Sequence, residues 1–321
     1  MIKKVRKVIG LFLLLTSFQL ISQNNLVEIT DFGANKGNLE MYFYKPINND
    51  MKVPLVVALH GCVQTANEIA EQSGWNTLAD ANNFMVIYPQ QKVENNLNKC
   101  FNWYENSDIS KNDGESETIK EMIQYAIQNF DVDPSKIFVT GISAGGAMAN
   151  VLMANYPDLF KSGAVLSGIP FKAANDLATA YAAMQGKVEK APAEWVASIR
   201  DNNPNYEGEY PKVVIFHGVD DPFVNVKNAE IIEIQWKGIH KIASEPAIIP
   251  EFNGNPDIAK TTYFKNNCPI IVKYEINNLG HAMAVDPGTE KQQGGNVARF
   301  ALDKNFHTTY WTAKFFGMIS D

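Results

Sequence analysis

The sequence has little that would anchor a chain in a membrane, repeat it or load it with metal. Beyond the first two dozen residues no apolar run reaches the roughly 18 residues that cross a bilayer. No internal repeat, low-complexity tract or Pro/Ser linker interrupts it, which sets aside solenoid and bead-on-string organisations. Cysteine is scarce: Cys62, Cys100 and Cys268 are scattered, with no Cys-x-x-Cys, so a zinc ribbon or other structural metal is not expected. Positive charge is also short. With 28 Lys and Arg against 35 Asp and Glu, the formal net charge is −7, which makes nucleic acid and anionic lipid poor partners.

What is present begins with a leader. Lys3, Lys4, Arg6 and Lys7 precede an apolar run over residues 8–15, and Ser22 offers a small residue before a cut. That is the pattern of a signal peptide. Residues 1–22 are therefore expected to direct export, and residues 23–321 to form a secreted protein in the periplasm or outside the cell, without a membrane anchor. Losing those four cations takes the charge from −7 to −11. Disulfides persist in exported chains, and three cysteines there predict one bonded pair and one odd thiol.

Short Val- and Ile-rich runs at residues 54–59, 84–88, 136–140, 163–166, 212–216 and 270–276 alternate with helical stretches at 66–82, 115–130, 145–155, 227–237 and 307–316. This rhythm predicts an α/β fold, a doubly wound and mostly parallel sheet flanked by helices, in one catalytic domain over 23–321. Residues 170–210 and 238–267 break the rhythm and are expected to form a lid or substrate rim.

Gly141-Ile142-Ser143-Ala144-Gly145 follows the run at 136–140 directly and opens an Ala- and Met-rich helical stretch. Strand, sharp turn and helix is the setting a Gly-x-Ser-x-Gly nucleophile needs, because the turn strains the serine backbone and leaves no room for side chains two residues either side. A serine hydroxyl of ordinary pKa is a poor nucleophile, so Ser143 needs a base in reach and an acid to hold that base. Of five histidines, His60 and His217 end apolar runs and precede glycine, His240 lies in an irregular stretch and His307 begins the last helix. His281, in Asn278-Leu279-Gly280-His281 after the last strand, remains as the base. The acid belongs after the strand at 212–216, where Val219-Asp220-Asp221-Pro222 offers two aspartates, and residue pattern favours Asp221 over Asp220. An acyl-transfer oxyanion needs fixed N–H donors, each worth about 10²–10³ in rate. The backbone N–H of Ala144 is expected to supply one, and that of Cys62, in Leu59-His60-Gly61-Cys62, the other.

Further landmarks are Tyr88-Pro89-Gln90-Gln91, Cys100-Phe101-Asn102-Trp103, the extension Gly146-Ala147-Met148 of the serine motif, and Gly280-His281-Ala282 with Asp286-Pro287-Gly288. With these in order, the chain from about Pro54 onward resembles the polyhydroxybutyrate (PHB) depolymerase family of secreted esterases, relatives of feruloyl and acetylxylan esterases. The resemblance implies the α/β-hydrolase fold, a Ser143, Asp221 and His281 triad, a Cys62 to Cys100 disulfide that would stiffen the oxyanion loop, and catalysis without cofactor or metal. The chain departs from many relatives in carrying Ala173 and Ala183 where they have a second cysteine pair. The segment around Phe171 is accordingly expected to be looser, and Cys268 buried or reactive. No linker and polymer-binding domain, usual in relatives that attack solid polyester, is evident. Trp103, beside the implied disulfide, is a candidate substrate-binding residue, the alternative being a core aromatic next to a crosslink. Trp75 and Trp236 are expected in the core.

The expected activity is hydrolysis of carboxylic esters through an acyl-enzyme, on poly- or oligo(3-hydroxybutyrate)-type esters, with feruloyl or acetyl esters on plant polysaccharide as the alternative. Fold and triad do not choose between these substrates. An acyltransferase would use the same three residues, and a peptidase finds no specificity feature to support it. A non-catalytic carbohydrate-binding module on this fold is the reading from another class, and the complete triad argues against it.

Overall fold

The computed structural model describes residues 26–46 and 52–319. The leader assigned to residues 1–22 lies outside the described residues. Ten strands form one sheet: β1 Val27–Ile29, β2 Glu40–Tyr44, β3 Val53–Leu59, β4 Met85–Gln90, β5 Val132–Ile142, β6 Ser162–Leu166, β7 Lys212–Gly218, β8 Ala247–Ile249, β9 Ile258–Lys265 and β10 Cys268–Ile276. Their spatial order is β1-β2-β4-β3-β5-β6-β7-β10-β9-β8. Neighbours from β4 through β10 run parallel, while β1, β2, β9 and β8 pair antiparallel at the two edges.

The six parallel strands are the six apolar runs of the sequence, because strands covered on both faces need side chains that are apolar in both directions. In β3, Leu55, Val57 and Leu59 face one layer and Val56 and Ala58 the other. The first layer is closed by α4 (Gly114–Asn129), α5 (Ala144–Asn155) and α8 (Lys227–Ile239), through Met122, Leu152 and Trp236. The second is closed by α1 (Ala66–Ser73), α2 (Trp75–Asn82) and α9 (Thr308–Phe315), through Ile69, Trp75 and Tyr310. Both Trp75 and Trp236 are buried, as expected. The helical stretch at 66–82 is two helices, broken at Gly74, whose φ of 74° ends one helix and starts the next.

The segments that break the sequence rhythm have different fates. Residues 170–210 carry α6 (Leu177–Met184) and α7 (Pro192–Arg200), and Met184 reaches the serine cleft. Residues 238–267 are not a substrate rim: they carry β8 and all of β9, which extend the sheet at its far edge, and none of them lines that cleft. The region around Phe171 is not loose either. Phe171 is buried, and the Gln235 amide donates to its carbonyl at 2.9 Å and accepts from its N–H at 3.1 Å. A buried amide with matched partners ties this segment down without a second crosslink. The odd thiol, Cys268, is exposed at the first residue of β10. After the sheet, β11 (Met283–Val285) and β12 (Ala301–Asp303) make a small parallel pair directly behind the His281 loop. A last short helix, α3 (Asn106–Ile109), packs on α4.

Candidate active site

Ser143 sits between β5 and α5 at φ 58° and ψ −122°, a strained conformation for a residue with a side chain. Two close approaches make the turn possible. A Cβ on Gly141 would lie 2.3 Å from the Gly145 carbonyl oxygen, and one on Gly145 would lie 2.4 Å from that of His60. The glycines at both positions are thus required by backbone meeting backbone. The Ser143 N–H donates to Leu166 O on the neighbouring β6 at 2.9 Å, which fixes the elbow to the sheet.

Two further polar residues come from the same end of neighbouring strands. Asp221 follows β7 and His281 follows β10, and His281 Nδ1 lies 2.6 Å from Asp221 Oδ2. The second carboxylate oxygen accepts the N–H groups of Phe223 at 2.9 Å and Val224 at 2.8 Å. Burial alone would push this carboxyl up. The hydrogen bond and charge of His281, with the two backbone donors, outweigh it and hold Asp221 below the ordinary carboxylate range. Asp220 is exposed, and among the described residues its bond to the His281 loop runs from its backbone N–H to Leu279 O at 3.2 Å, not from its carboxylate to His281. Ser143 and His281 line one cleft of about 530 Å³ with Gly61, Cys62, Val63, Gln64, Met184, Phe223, Arg299, Phe300 and Leu302. The Phe223 ring meets the imidazole edge to face, 5.5 Å between centroids.

The loop after β3 lies against this elbow: a Cβ built on Gly61 would stand 3.4 Å from the Ser143 Cβ. Among the described residues the N–H groups of Cys62 and Ala144 have no acceptor, as an oxyanion site requires. His60, buried, accounts for the orientation of Cys62. Its Nδ1–H donates to Gly61 O at 2.7 Å, and its Nε2 accepts from the Gln91 N–H at 3.1 Å. Pinning that carbonyl turns the Cys62 N–H to the opposite edge of the planar trans peptide. Burial lowers His60 to about 4, so the imidazole stays neutral and keeps this tautomer.

Cys62 and Cys100 are joined by a disulfide, and Val63 N donates to Asn98 O beside it. Gln91 then links the two sides of the crosslink. Its amide donates to Cys100 O at 3.1 Å and to the buried Glu115, whose other oxygen accepts the Asn102 N–H at 2.8 Å. Trp103, by contrast, is not among the residues lining the cleft. It is 6% exposed and packs in a satellite cluster with Ala144, Ala147 and Ala180, the core alternative for an aromatic beside the crosslink.

His217 and Gln91 were not assigned site roles from sequence. His217, at the end of β7, is buried with Nε2 donating to Val224 O at 2.8 Å, so it braces the turn that presents Asp221. Its signal was its place before glycine at a strand end, shared with His60; both are neutral braces, and burial lowers both. Arg299, Phe300 and Leu302 had no signal, because the hairpin turn that brings them to the cleft is not evident in their composition.

A mostly parallel sheet with a strained serine after β5, an aspartate after β7 and a histidine after β10 defines a serine hydrolase of the α/β-hydrolase fold. A solved structure, acetyl xylan esterase from Aspergillus awamori, superposes with a TM-score of 0.78 over 92% of this chain and 99% of that one, at 24% identity, which speaks to the fold. The family model described as "Esterase PHB depolymerase" matches residues 39–243. Poly(3-hydroxyalkanoate) depolymerase C of Paucimonas lemoignei is 40% identical over 294 residues, 92% of this chain and 70% of that protein. An acetylxylan esterase of Coprinopsis cinerea is 34% identical over 275 residues, 84% of this chain and 72% of that protein. The chain belongs to the esterase PHB depolymerase family, and it is a carboxylic ester hydrolase.

Proposed function

We propose that Ser143, His281 and Asp221 are the catalytic triad, that Cys62 and Ala144 hold the oxyanion, and that the substrates are hydroxyalkanoate esters. Ser143 Oγ attacks the ester carbonyl carbon while His281 Nε2 takes the hydroxyl proton. Asp221 fixes the Nδ1–H tautomer and steadies the imidazolium that forms. The oxyanion is met by the N–H groups of Cys62 and Ala144, already in place and with no acceptor among the described residues. As the carbonyl re-forms, the ester C–O bond breaks and the departing alcohol takes the proton from His281. Water then repeats the sequence on the acyl-enzyme, giving the acid and returning the proton to Ser143.

The 2.6 Å bond from His281 to Asp221, on the cleft that Ser143 lines, carries this reading. Val63, Met184, Phe223, Phe300 and Leu302 give that cleft aliphatic and aromatic walls suited to a short hydroxyalkanoate chain. Likeness to the Paucimonas lemoignei depolymerase supports the same substrate class. Acetyl or feruloyl sugar esters are the second reading, favoured by likeness to the Coprinopsis cinerea acetylxylan esterase. The pattern of residues 1–22 and the Cys62 to Cys100 disulfide support export of a single mature domain over 23–321.

The test is product release by the mature protein and its Ser143→Ala variant on p-nitrophenyl acyl esters, 3-hydroxybutyrate oligomers, acetylated xylan and methyl ferulate. The variant is expected to lose kcat by about 10⁴-fold or more, with hydroxybutyrate oligomers the best substrates of the wild type. Equal activity in both proteins would refute the triad, and a stronger preference for sugar esters would refute the substrate.

A further inference from the structure

We propose that Arg299 binds a free carboxylate on the substrate, so that this hydrolase prefers esters ending in an acid group, such as linear hydroxyalkanoate oligomers. The inference rests on the hydrolase reading above and narrows its substrate class. Among the described residues lining the cleft with Ser143 and His281, Arg299 is the only one with a permanent charge. It joins no ion pair among the described residues. In a chain of net charge −7 the prevailing field repels anionic substrates, and an unmatched cation at the reacting cleft opposes that repulsion locally.

The turn that carries the exposed arginine is held in place. Ala298 N donates to Ala301 O at 2.8 Å and Ala301 N to Ala298 O at 3.1 Å, closing a tight turn with Arg299 and Phe300 at its tip. Phe300 O accepts from Met283 N at 2.9 Å, two residues beyond the catalytic histidine. The guanidinium carbon lies 4.9 Å from the centre of the Phe300 ring. Contact with that ring leaves the in-plane N–H donors free, and their paired geometry matches the two oxygens of a carboxylate. A linear hydroxyalkanoate oligomer always ends in such a group, ionised at neutral pH. A neutral acetyl or feruloyl sugar ester does not, although a uronic acid branch on the polysaccharide would supply one.

The test compares 3-hydroxybutyrate dimer and trimer as free acids with the same oligomers capped as carboxamides, following the internal ester bond. A parallel arm compares acetylated xylo-oligosaccharides with and without a glucuronic acid branch. Wild type is expected to favour the acid by about tenfold in kcat/KM, mainly through KM. Arg299→Gln brings the acid-to-amide ratio near one, Arg299→Lys keeps part of it, and 0.5 M salt compresses it in the wild type, as screening at about 4 Å Debye length requires. The arm with the larger ratio identifies which carboxylate is meant. Calorimetry on Ser143→Ala with trimer acid and trimer amide reads the same contact without turnover. A ratio near one in the wild type, or an equal ratio in Arg299→Gln, overturns the proposal. Inactivity on every ester would overturn hydrolysis alone, and the calorimetric ratio would still judge Arg299.

Discussion

Asp221 uses both carboxylate oxygens, one on His281 and one on the turn that carries it, whereas its neighbour Asp220 points into solvent. Asp221→Asn removes the acceptor that fixes the histidine tautomer. We expect kcat to fall by about 10³–10⁴-fold, with Asp220→Asn within about twofold of wild type, as surface changes usually are. Steady-state kinetics on a p-nitrophenyl ester checks both, and equal losses would mean the wrong aspartate. At this scale the sequence was most legible where chemistry is local. The Ser143 elbow is written in five consecutive residues, because the strain and its glycine relief are both within the turn. Asp220 and Asp221 were harder to separate, since adjacent residues in a turn point opposite ways and residue type does not say which. The brace His60 and the cleft residue Arg299 depend on contacts with residues far along the chain, and their identity alone does not announce them.

Among the elements, the loop after β3 gathers the most restraints: the disulfide to Cys100, the Val63 to Asn98 bond, and His60 with Gln91 beneath it. Cysteines 38 positions apart close a loop whose crosslink is worth about 4 kcal/mol in the chain-entropy model. Cys100→Ser should lower the melting temperature accordingly and reduce kcat more than it raises KM, because the crosslink holds the proposed oxyanion donor Cys62 directly while Met184, Phe223, Phe300 and Leu302 still wall the cleft. Melting and kcat both unchanged in Cys100→Ser would contradict this. The same scale separates what sequence can say about strands. The six central strands read as solid apolar runs because helices cover both faces. β8 is exposed throughout and β9 is partly so, with Lys260, Thr261 and Thr262 in its middle, so the far edge looked like a break in the pattern.

Over the whole molecule, burial of histidines governs the response to acid. His60, His240 and His307 are each lowered to about 4 by burial and bond to a backbone carbonyl. Each stays neutral in the fold while its unfolded counterpart takes a proton near 6.5. Between pH 7 and pH 5 the unfolded state therefore gains protons the fold refuses, which costs about 2 kcal/mol of stability per histidine. Glu115 works in the opposite sense, since burial raises its carboxyl and acid favours its protonated form. His217, which burial also lowers, adds to the three histidines against this one carboxyl. Urea unfolding should show markedly lower stability at pH 5 than at pH 7, with the loss complete as pH falls through about 4. A flat profile over that window would mean that the histidines are not buried as described.

Covalent labelling decides whether Ser143 is the nucleophile. A fluorophosphonate ester transfers its phosphonyl group to an activated serine, forming an O–P bond and releasing fluoride. We expect one label per chain, on the peptide containing Ser143, with hydrolysis lost in step and labelling absent in His281→Ala. Label on another serine, or full hydrolysis by a protein labelled at Ser143, would contradict the account.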